Sequence, residues 1–381
     1  MEFALDSEQQ QFNDSVSRYF RERGELADWL KLAESDAPFD RAAWQEIADL
    51  GWLALNVSEA DGGIGASPVY TAVMMEHAGR ALSREPLTSS AVIAAQLLAA
   101  ADPAVKAGLM ASLIEGKAVF ALAHAEPTAR FDLSHVTTRA ETSGSGYVLT
   151  GLKFYVPDGA AADWLIVPAR TSSAVNDVQG ISLFLVPANA SGLSRQNVRG
   201  ADYRHSSRLS LQAVQVGPEA LIGTLDAGFP LLQKAVDHGI AAGLAEAVGI
   251  MEALRDVTLE YLKTRKQFGV HIGSFQVLQH RMVDIEIACE EARAIMRHAV
   301  ARLEASVAER RRAISAAKAR VGQTSMFVAH QAVQLHGGIG TTDELIVSHY
   351  LKRLAMLEIS YGNADYHRTQ FLAADRMLAA A

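Results

Sequence analysis

A single cysteine, Cys289, excludes an intrachain disulfide and any cysteine-based metal cluster. It falls on an apolar helical stripe and reads as core. No window approaches the roughly 18 consecutive apolar residues of a membrane-spanning helix. The opening MEFALDSEQQ lacks a basic region followed by an apolar run, so no secretory leader is expected and the expected compartment is the cytoplasm. Positive charge is in deficit as well. The 35 Lys and Arg stand against 43 Asp and Glu, a net charge of -8, which argues against nucleic acid as a partner. Basic residues are scattered except for Arg310-Arg311-Arg312, expected to be a solvated helix turn. GxGxxG after a strand is missing, and so is the phosphate-loop pattern GxxxxGK followed by Ser or Thr. Strands do not alternate with helices, so a Rossmann domain is not expected either.

What is present changes character along the chain. Residues 1–117 read as a helical domain. Ser7 is the expected cap of a helix carrying Phe12, Val16 and Phe20 at four-residue spacing. Trp44, Ile47 and Leu50 share a face of a second helix, and a Gly-, Ser- and Asp-rich loop around Gly62-Gly63-Ile64-Gly65 follows. Residues 69–101, mostly Ala, Leu, Met and Val, predict buried helices interrupted at Arg84-Glu85-Pro86. From 118 to 226, short β-branched and aromatic runs bounded by Gly, Pro and Ser predict an antiparallel β domain, sandwich or barrel. From 227 to 381 helix returns. Phe275, Leu278, Met282, Ile285, Cys289, Ala292 and Met296 step by threes and fours, a heptad-like seam expected in a four-helix bundle. The fold class is therefore α+β, with helices, then strands, then a bundle.

Two stretches of the bundle carry chemistry. Gly337, Gly338 and Gly340 form a turn that lets another group approach the backbone, with Gln334 and His336 just before it. Backbone N–H groups and a side-chain amide converging at helix ends suit a nucleotide or an anion. The similar turn at Gly62 to Gly65 is expected only to redirect the chain.

Arg265-Lys266-Gln267-Phe268-Gly269, the following Ile272-Gly273-Ser274-Phe275-Gln276, and Gln334-Leu335-His336-Gly337-Gly338-Ile339-Gly340 together resemble the acyl-CoA dehydrogenase family. Ala125-Glu126-Pro127 stands where that family has Thr-Glu-Pro. The resemblance covers the whole chain. It implies two helical domains flanking a β domain, usually a tetramer, with FAD at a subunit interface and an electron-transfer flavoprotein as the usual acceptor. It implies α,β-dehydrogenation of an acyl-CoA thioester: a carboxylate removes the α-proton and the β-hydrogen leaves as hydride to the flavin. It also implies FAD contacts for Arg265, Phe268, Gln276, Gln334, Leu335, Gly337, Gly338, Asn363 and Asp365 toward a neighbouring subunit's dinucleotide, and for Ala125, Val156 and Pro157 toward the chain's own flavin. No metal is implied.

The resemblance breaks at three places. The family's catalytic Glu-Gly falls on Tyr361-Gly362, and Tyr, with an unperturbed pKa near 10, is a poor base at neutral pH. The alternative base position found in some members falls on Gly239, leaving Asp237 nearby as a weak candidate base. In the β domain, hydroxyls expected to meet the flavin and the ligand phosphates are replaced by Ala125 and Phe131, and Pro157 has no N–H to offer. The residues that reach a neighbour's FAD are kept while those that hold the chain's own flavin are eroded. Three readings follow: the non-catalytic half of a two-subunit acyl-CoA dehydrogenase, similar to those of bacterial sterol side-chain degradation; a self-sufficient homotetramer with a relocated base; or a flavin-free assembly or binding protein of the same fold.

Overall fold

The computed structural model describes residues 4–23 and 25–380; Met1 to Phe3, within the stretch read above for a leader, lie outside the described residues. Six helices come first: α1 (Ser7–Arg21), α2 (Leu26–Glu34), α3 (Arg41–Asp49), α4 (Pro68–Arg80), α5 (Ala95–Leu98) and α6 (Pro103–Ile114), with a π-helical turn at Leu87–Ala94 leading into α5. The cap of α1 is Asp6 rather than Ser7. Asp6 accepts from the Gln9 N–H at 2.9 Å while the Gln9 side chain accepts from the Asp6 N–H, a two-way closure. Leu50 falls beyond the end of α3 and is exposed, whereas Trp44 and Ile47 are buried as expected.

Among the described residues one sheet then holds eight strands: β1 (Phe120–Leu122), β2 (Arg139–Ser143), β3 (Gly146–Pro157), β4 (Trp164–Arg170), β5 (Ile181–Pro187), β6 (Leu193–Arg199), β7 (His205–Val216) and β8 (Leu221–Ile222). Its order is β6-β7-β3-β2-β4-β5-β8, with β1 attached to β4. Most pairings are antiparallel; β1 with β4 and the single bridge of β2 with β4 are parallel. Leu149, Leu165, Val167, Phe184, Val186 and Leu211 form its core. β6 escaped the pattern reading because it is an edge strand of mostly polar, exposed residues, which protects a sheet edge from stray pairing.

The remaining chain is α7 (Phe229–Thr264), a small hairpin of β9 (Lys266–Gln267) and β10 (Val270–His271), then α8 (Gln276–Val300), α9 (Val307–His336), α10 (Ile346–Ile359) and α11 (Ala364–Ala380). The fourth arm of the bundle is thus broken at Tyr361-Gly362 into α10 and α11, both of which pack on α9. The predicted seam of α8 is buried from Ile285 onward, Cys289 included, but Phe275 is exposed and Leu278 and Met282 only half-buried. Arg310 and Arg311, expected in solvent, are buried; Arg311 donates to the Gln370 amide oxygen at 3.2 Å because α11 lies over that face of α9.

Contacts divide the chain into two compact units. One comprises the residues up to Lys31, Pro68–Ser83 and Ile240 onward; the other comprises Leu32–Ser67 and Arg84–Gly239, including the sheet. Among the described residues no helix is long and apolar enough to cross a membrane.

Candidate active site and dinucleotide surface

Arg265 follows the last residue of α7, and its backbone is held on both sides: its N–H donates to Tyr261 O at 2.8 Å and its carbonyl accepts from Ile272 at 2.9 Å. Among the described residues its guanidinium pairs with no carboxylate, so the salt bridge that would explain an exposed arginine at a helix end is not made. Phe268 and Gly269 form the two-residue turn between β9 and β10, both left-handed with φ of 53° and 84°. Such turns favour Asn-Gly, because a bulky residue with positive φ is strained. Phe268 is nevertheless held there with 91% of its surface exposed, set edge-on to Phe275 at 6.3 Å between ring centres. Gln276 opens α8 and is exposed.

The second stretch lies in the same unit. Tyr261, one turn before Arg265, stacks on His336 with 4.4 Å between ring centres and donates to its carbonyl at 3.4 Å. That contact ties the end of α7 to the glycine turn. His336 is buried, donates its Nδ1 proton to Ala332 O at 2.8 Å, and has its pKa lowered by burial. Leu335 is also buried, whereas Gln334, Gly337 and Gly338 are exposed. The glycines differ in why they are glycine. Gly337 has φ of +68°, and a Cβ on Gly340 would stand 2.9 Å from Val333 O. Gly338 has neither a left-handed φ nor any atom near its absent Cβ. In the 62–65 turn the chain needs its own glycines, since a Cβ on Gly63 would lie 2.2 Å from Val57 O and Gly62 and Gly65 have positive φ.

Tyr361 lies two residues beyond the end of α10, with φ of 56°. Its carbonyl accepts from His367 Nε2 at 3.1 Å, which makes Nδ1 the acceptor facing the Ser315 hydroxyl at 3.4 Å. Burial, with the Lys318 charge beside it, holds His367 neutral with a pKa of about 3. Lys318, missed in the sequence, is buried and donates to the carbonyls of Leu357 and Glu358, which closes the end of α10. Asn363 is occupied as a cap, accepting from the Tyr366 N–H at 3.0 Å, and the exposed Asp365 carboxylate accepts from Arg368 at 2.6 Å. Asp237, on α7 in the sheet-containing unit, is completely buried. A Cβ on Gly239 would lie 2.6 Å from Ile93 Cδ1, so a carboxylate at the alternative base position would have to displace the Ile93 side chain of the π-helical turn.

In the β domain, Ala125 O accepts from Phe154 N–H at 2.9 Å, which sets the 125–127 loop beside β3. Below it lies a polar centre not foreseen. Glu126 accepts from Lys153 Nζ at 2.8 Å, from the Thr138 N–H and hydroxyl at 3.0 and 2.7 Å, and from both Thr137 donors; Lys153 also donates to Pro168 O at 2.8 Å. Both charged side chains are fully enclosed. The Val156 side chain belongs to the sheet core and the whole residue is buried, paired with Ser207 on β7, while Pro157, paired with Ser206 at the end of β3, offers a carbonyl and a ring.

Three family descriptions cover the chain in this order: the acyl-CoA dehydrogenase N-terminal domain over residues 6–117, the middle domain over 121–214 and the C-terminal domain over 226–375. The chain belongs to the acyl-CoA dehydrogenase family. Its members are oxidoreductases acting on CH–CH bonds, and the fold, helical at both ends with a β-sheet domain between, is theirs. Among similar proteins, the probable acyl-CoA dehydrogenase YngJ of Bacillus subtilis (strain 168) is 28% identical over 97% of this chain and 98% of its own length. Mitochondrial isovaleryl-CoA dehydrogenase of Oryza sativa subsp. japonica is 28% identical over 96% and 90%. Among solved structures, the Tcur3481-Tcur3483 steroid acyl-CoA dehydrogenase superposes with a TM-score of 0.88 at 26% identity, covering 98% of this chain and 99% of that one. The ChsE4-ChsE5 complex of Mycobacterium tuberculosis gives 0.87 at 25% identity, with full coverage of both chains.

Proposed function

We propose that this acyl-CoA dehydrogenase chain works as one subunit of a heteromeric enzyme, completing with its C-terminal helices the FAD site of a catalytic partner. The observation that carries the reading is Phe268: a strained, left-handed aromatic at a hairpin tip, uncovered by its own chain, beside an arginine without a counter-ion. Burying such a ring in another subunit recovers about 1.5–3 kcal/mol of apolar transfer energy that the lone chain forgoes. Gly338 agrees, since its own chain does not require it. Two solved relatives, Tcur3481-Tcur3483 and ChsE4-ChsE5, each bear two subunit names.

The residues fit half of a dinucleotide site. Arg265 can pair with the pyrophosphate through its planar fork, Gln276 and Gln334 offer amide donors, the Gly337 and Gly338 backbone admits a close approach, and Phe268 gives a packing face. Leu335 supports the turn from beneath, with Asn363 and Asp365 on the adenine side. The other half does not fit: Ala125 has no hydroxyl, Pro157 has no N–H, and Val156 turns its side chain into the core. When bound, FAD accepts the hydride from the β-carbon. A tyrosine is a poor base for a thioester α-proton at neutral pH, so the partner's carboxylate takes the α-proton, and the acyl-CoA is activated in the partner's cleft. We also divide the chain into domains at 117/118 and 226/227.

An absorbance spectrum tests this, taken on the chain purified alone and after co-expression with the product of its neighbouring gene. The expected result is a colourless or flavin-poor chain alone and a yellow, acyl-CoA-reducible complex with the partner. A yellow homotetramer with full flavin occupancy and turnover overturns it. That outcome selects the self-sufficient reading, in which Asp237 is the weak candidate base, and Asp237→Asn should then abolish flavin reduction by acyl-CoA while leaving FAD bound. Flavin in neither preparation selects the assembly protein.

A further inference from the structure

The sheet-containing unit also carries a hydroxyl, an imidazole and an amide set in line. His135 Nδ1 lies 2.6 Å from Asn176 Oδ1, and its Nε2 lies 2.9 Å from the Thr128 hydroxyl. The Asn176 oxygen can only accept, so Nδ1 carries the ring proton. In the neutral ring Nε2 is then a lone pair, and Thr128 Oγ1 donates to it. This is the order of nucleophile, base and orienting group in a catalytic triad, with Thr in place of Ser and Asn in place of Asp. Thr128 and Asn176 are exposed and His135 is half-buried, so a solute can reach the hydroxyl.

Other groups fix the loops that bear these side chains. Arg170, the last residue of β4 and buried, donates to Ser134 O at 2.8 Å and Val175 O at 2.7 Å, the carbonyls directly before His135 and Asn176. Its other terminal nitrogen donates to Asp177 O at 2.9 Å and Gln179 O at 2.6 Å. Val136 N–H donates to Val175 O at 3.1 Å, and the Asp132 carboxylate accepts from the Ser134 N–H and hydroxyl at 2.9 and 2.7 Å. The two loops are therefore joined without the histidine, and a clasp already closed does not account for a hydroxyl set against a bare imidazole nitrogen. The buried arginine instead gives the base and its orienting group a fixed backbone, the support a reacting site requires. On the side of the hydroxyl, Ala129 N–H donates to Glu126 O at 3.2 Å, and Arg130 has φ of 50°. Among the described residues the N–H groups of Thr128 and Arg130 donate to nothing. A nucleophile's own N–H is a donor for the oxyanion that forms beside it.

We infer that Thr128, His135 and Asn176 form a hydrolytic centre that transfers the acyl group of an activated ester or thioester to water. Thr128 Oγ1 attacks the carbonyl carbon and forms a C–O bond. Its proton passes to His135 Nε2 and on to the departing oxygen or sulfur as the bond to that atom breaks. A water then gives a proton to Nε2 and its oxygen to the carbonyl carbon; the acid leaves, and the proton on Nε2 restores the threonine hydroxyl. No electron changes hands, so neither flavin nor a second subunit takes part, and the acyl donor arrives from solution. Thr128 and His135 are the catalytic residues; Asn176 is a positioning residue.

The test incubates the full chain with p-nitrophenyl acetate and with phenyl thioacetate. Release of the leaving group is followed by absorbance, and peptide mass spectrometry on acid-quenched samples locates any acetyl group. Hydrolysis of at least one probe, with an acetyl group on Thr128, is expected; the faster probe assigns the leaving atom as oxygen or sulfur. Thr128→Val should remove the adduct and the rate it carries, and Thr128→Ser should keep both. His135→Gln should slow acylation about a hundredfold with Tm unchanged. Asn176→Ala should slow it less, and Asn176→Asp should restore it. Thr128→Val stands at an exposed turn and keeps the test open if the histidine variant does not fold. No acetyl group on Thr128 overturns the centre, as does a rate unchanged in Thr128→Val, because scattered surface histidines and lysines would then account for the hydrolysis. A chain that proves to bind flavin by itself defeats the heteromeric reading and leaves this result standing.

Discussion

Gly338 and Gly340 stand two residues apart, yet their glycine character has different origins. Gly340 is demanded by the Val333 carbonyl and the His336 Cβ beneath it, Gly338 by nothing in its own chain. Gly340→Ala should therefore destabilise the chain by about 1–3 kcal/mol through a displaced turn, while Gly338→Ala should leave stability within about 0.5 kcal/mol and weaken flavin capture in the assembled complex. Denaturant melts of the single chain and flavin titration of the complex read the two effects apart; equal loss of stability in both variants would remove the argument for a ligand at this turn. At this scale the sequence was informative about which residues stand together in a motif. It was silent about Lys318 and Lys153, because a buried cation and a solvated one are the same letter. Arg310 and Arg311 show the same blindness in reverse, expected in water and found under α11.

Between elements, β3 and the 125–127 loop are held together by one enclosed ion pair. Burial pushes the Glu126 carboxyl upward, but the Lys153 charge and the hydroxyl and amide donors of Thr137 and Thr138 outweigh it and hold the pKa at about 2. An unfolded Glu titrates near 4.3. The folded value is the lower, so the pair's contribution is complete above about pH 4.3 and is lost as the pH falls through about 2. Lys153→Met leaves a buried carboxylate alone and should cost about 3–5 kcal/mol at pH 7. In urea melts taken from pH 7 down to pH 2, the gap between wild type and variant should close below about pH 4.3; a constant gap would mean that the pair is not ionised. The strands on either side were legible from their β-branched runs. The pair was not, because β3 is bulged between Lys153 and Val156 and the alternation of inward and outward residues slips there.

Across the described residues, exposed large apolar side chains are scattered through both units, but five of them, Phe268, Val270, Phe275, Val277 and Val283, stand together on the hairpin and the first turns of α8. Exposed patches of this kind mark surfaces meant for another chain. Phe268→Asn separates folding from assembly, since Asn suits the left-handed position that Phe tolerates badly. The isolated chain should become more stable, by about 0.5–1 kcal/mol, while the complex on a sizing column dissociates more readily and loses flavin. A variant that weakens both, or neither, would show that the ring has no partner. The order of helices, strands and bundle, and membership of the family, were determined by the sequence itself, because hydrophobic periodicity and short motifs are local properties of the chain. Which glycines are spare, which cations are buried and which apolar face stays uncovered were decided only by the tertiary structure, because each depends on atoms brought close from distant parts of the chain.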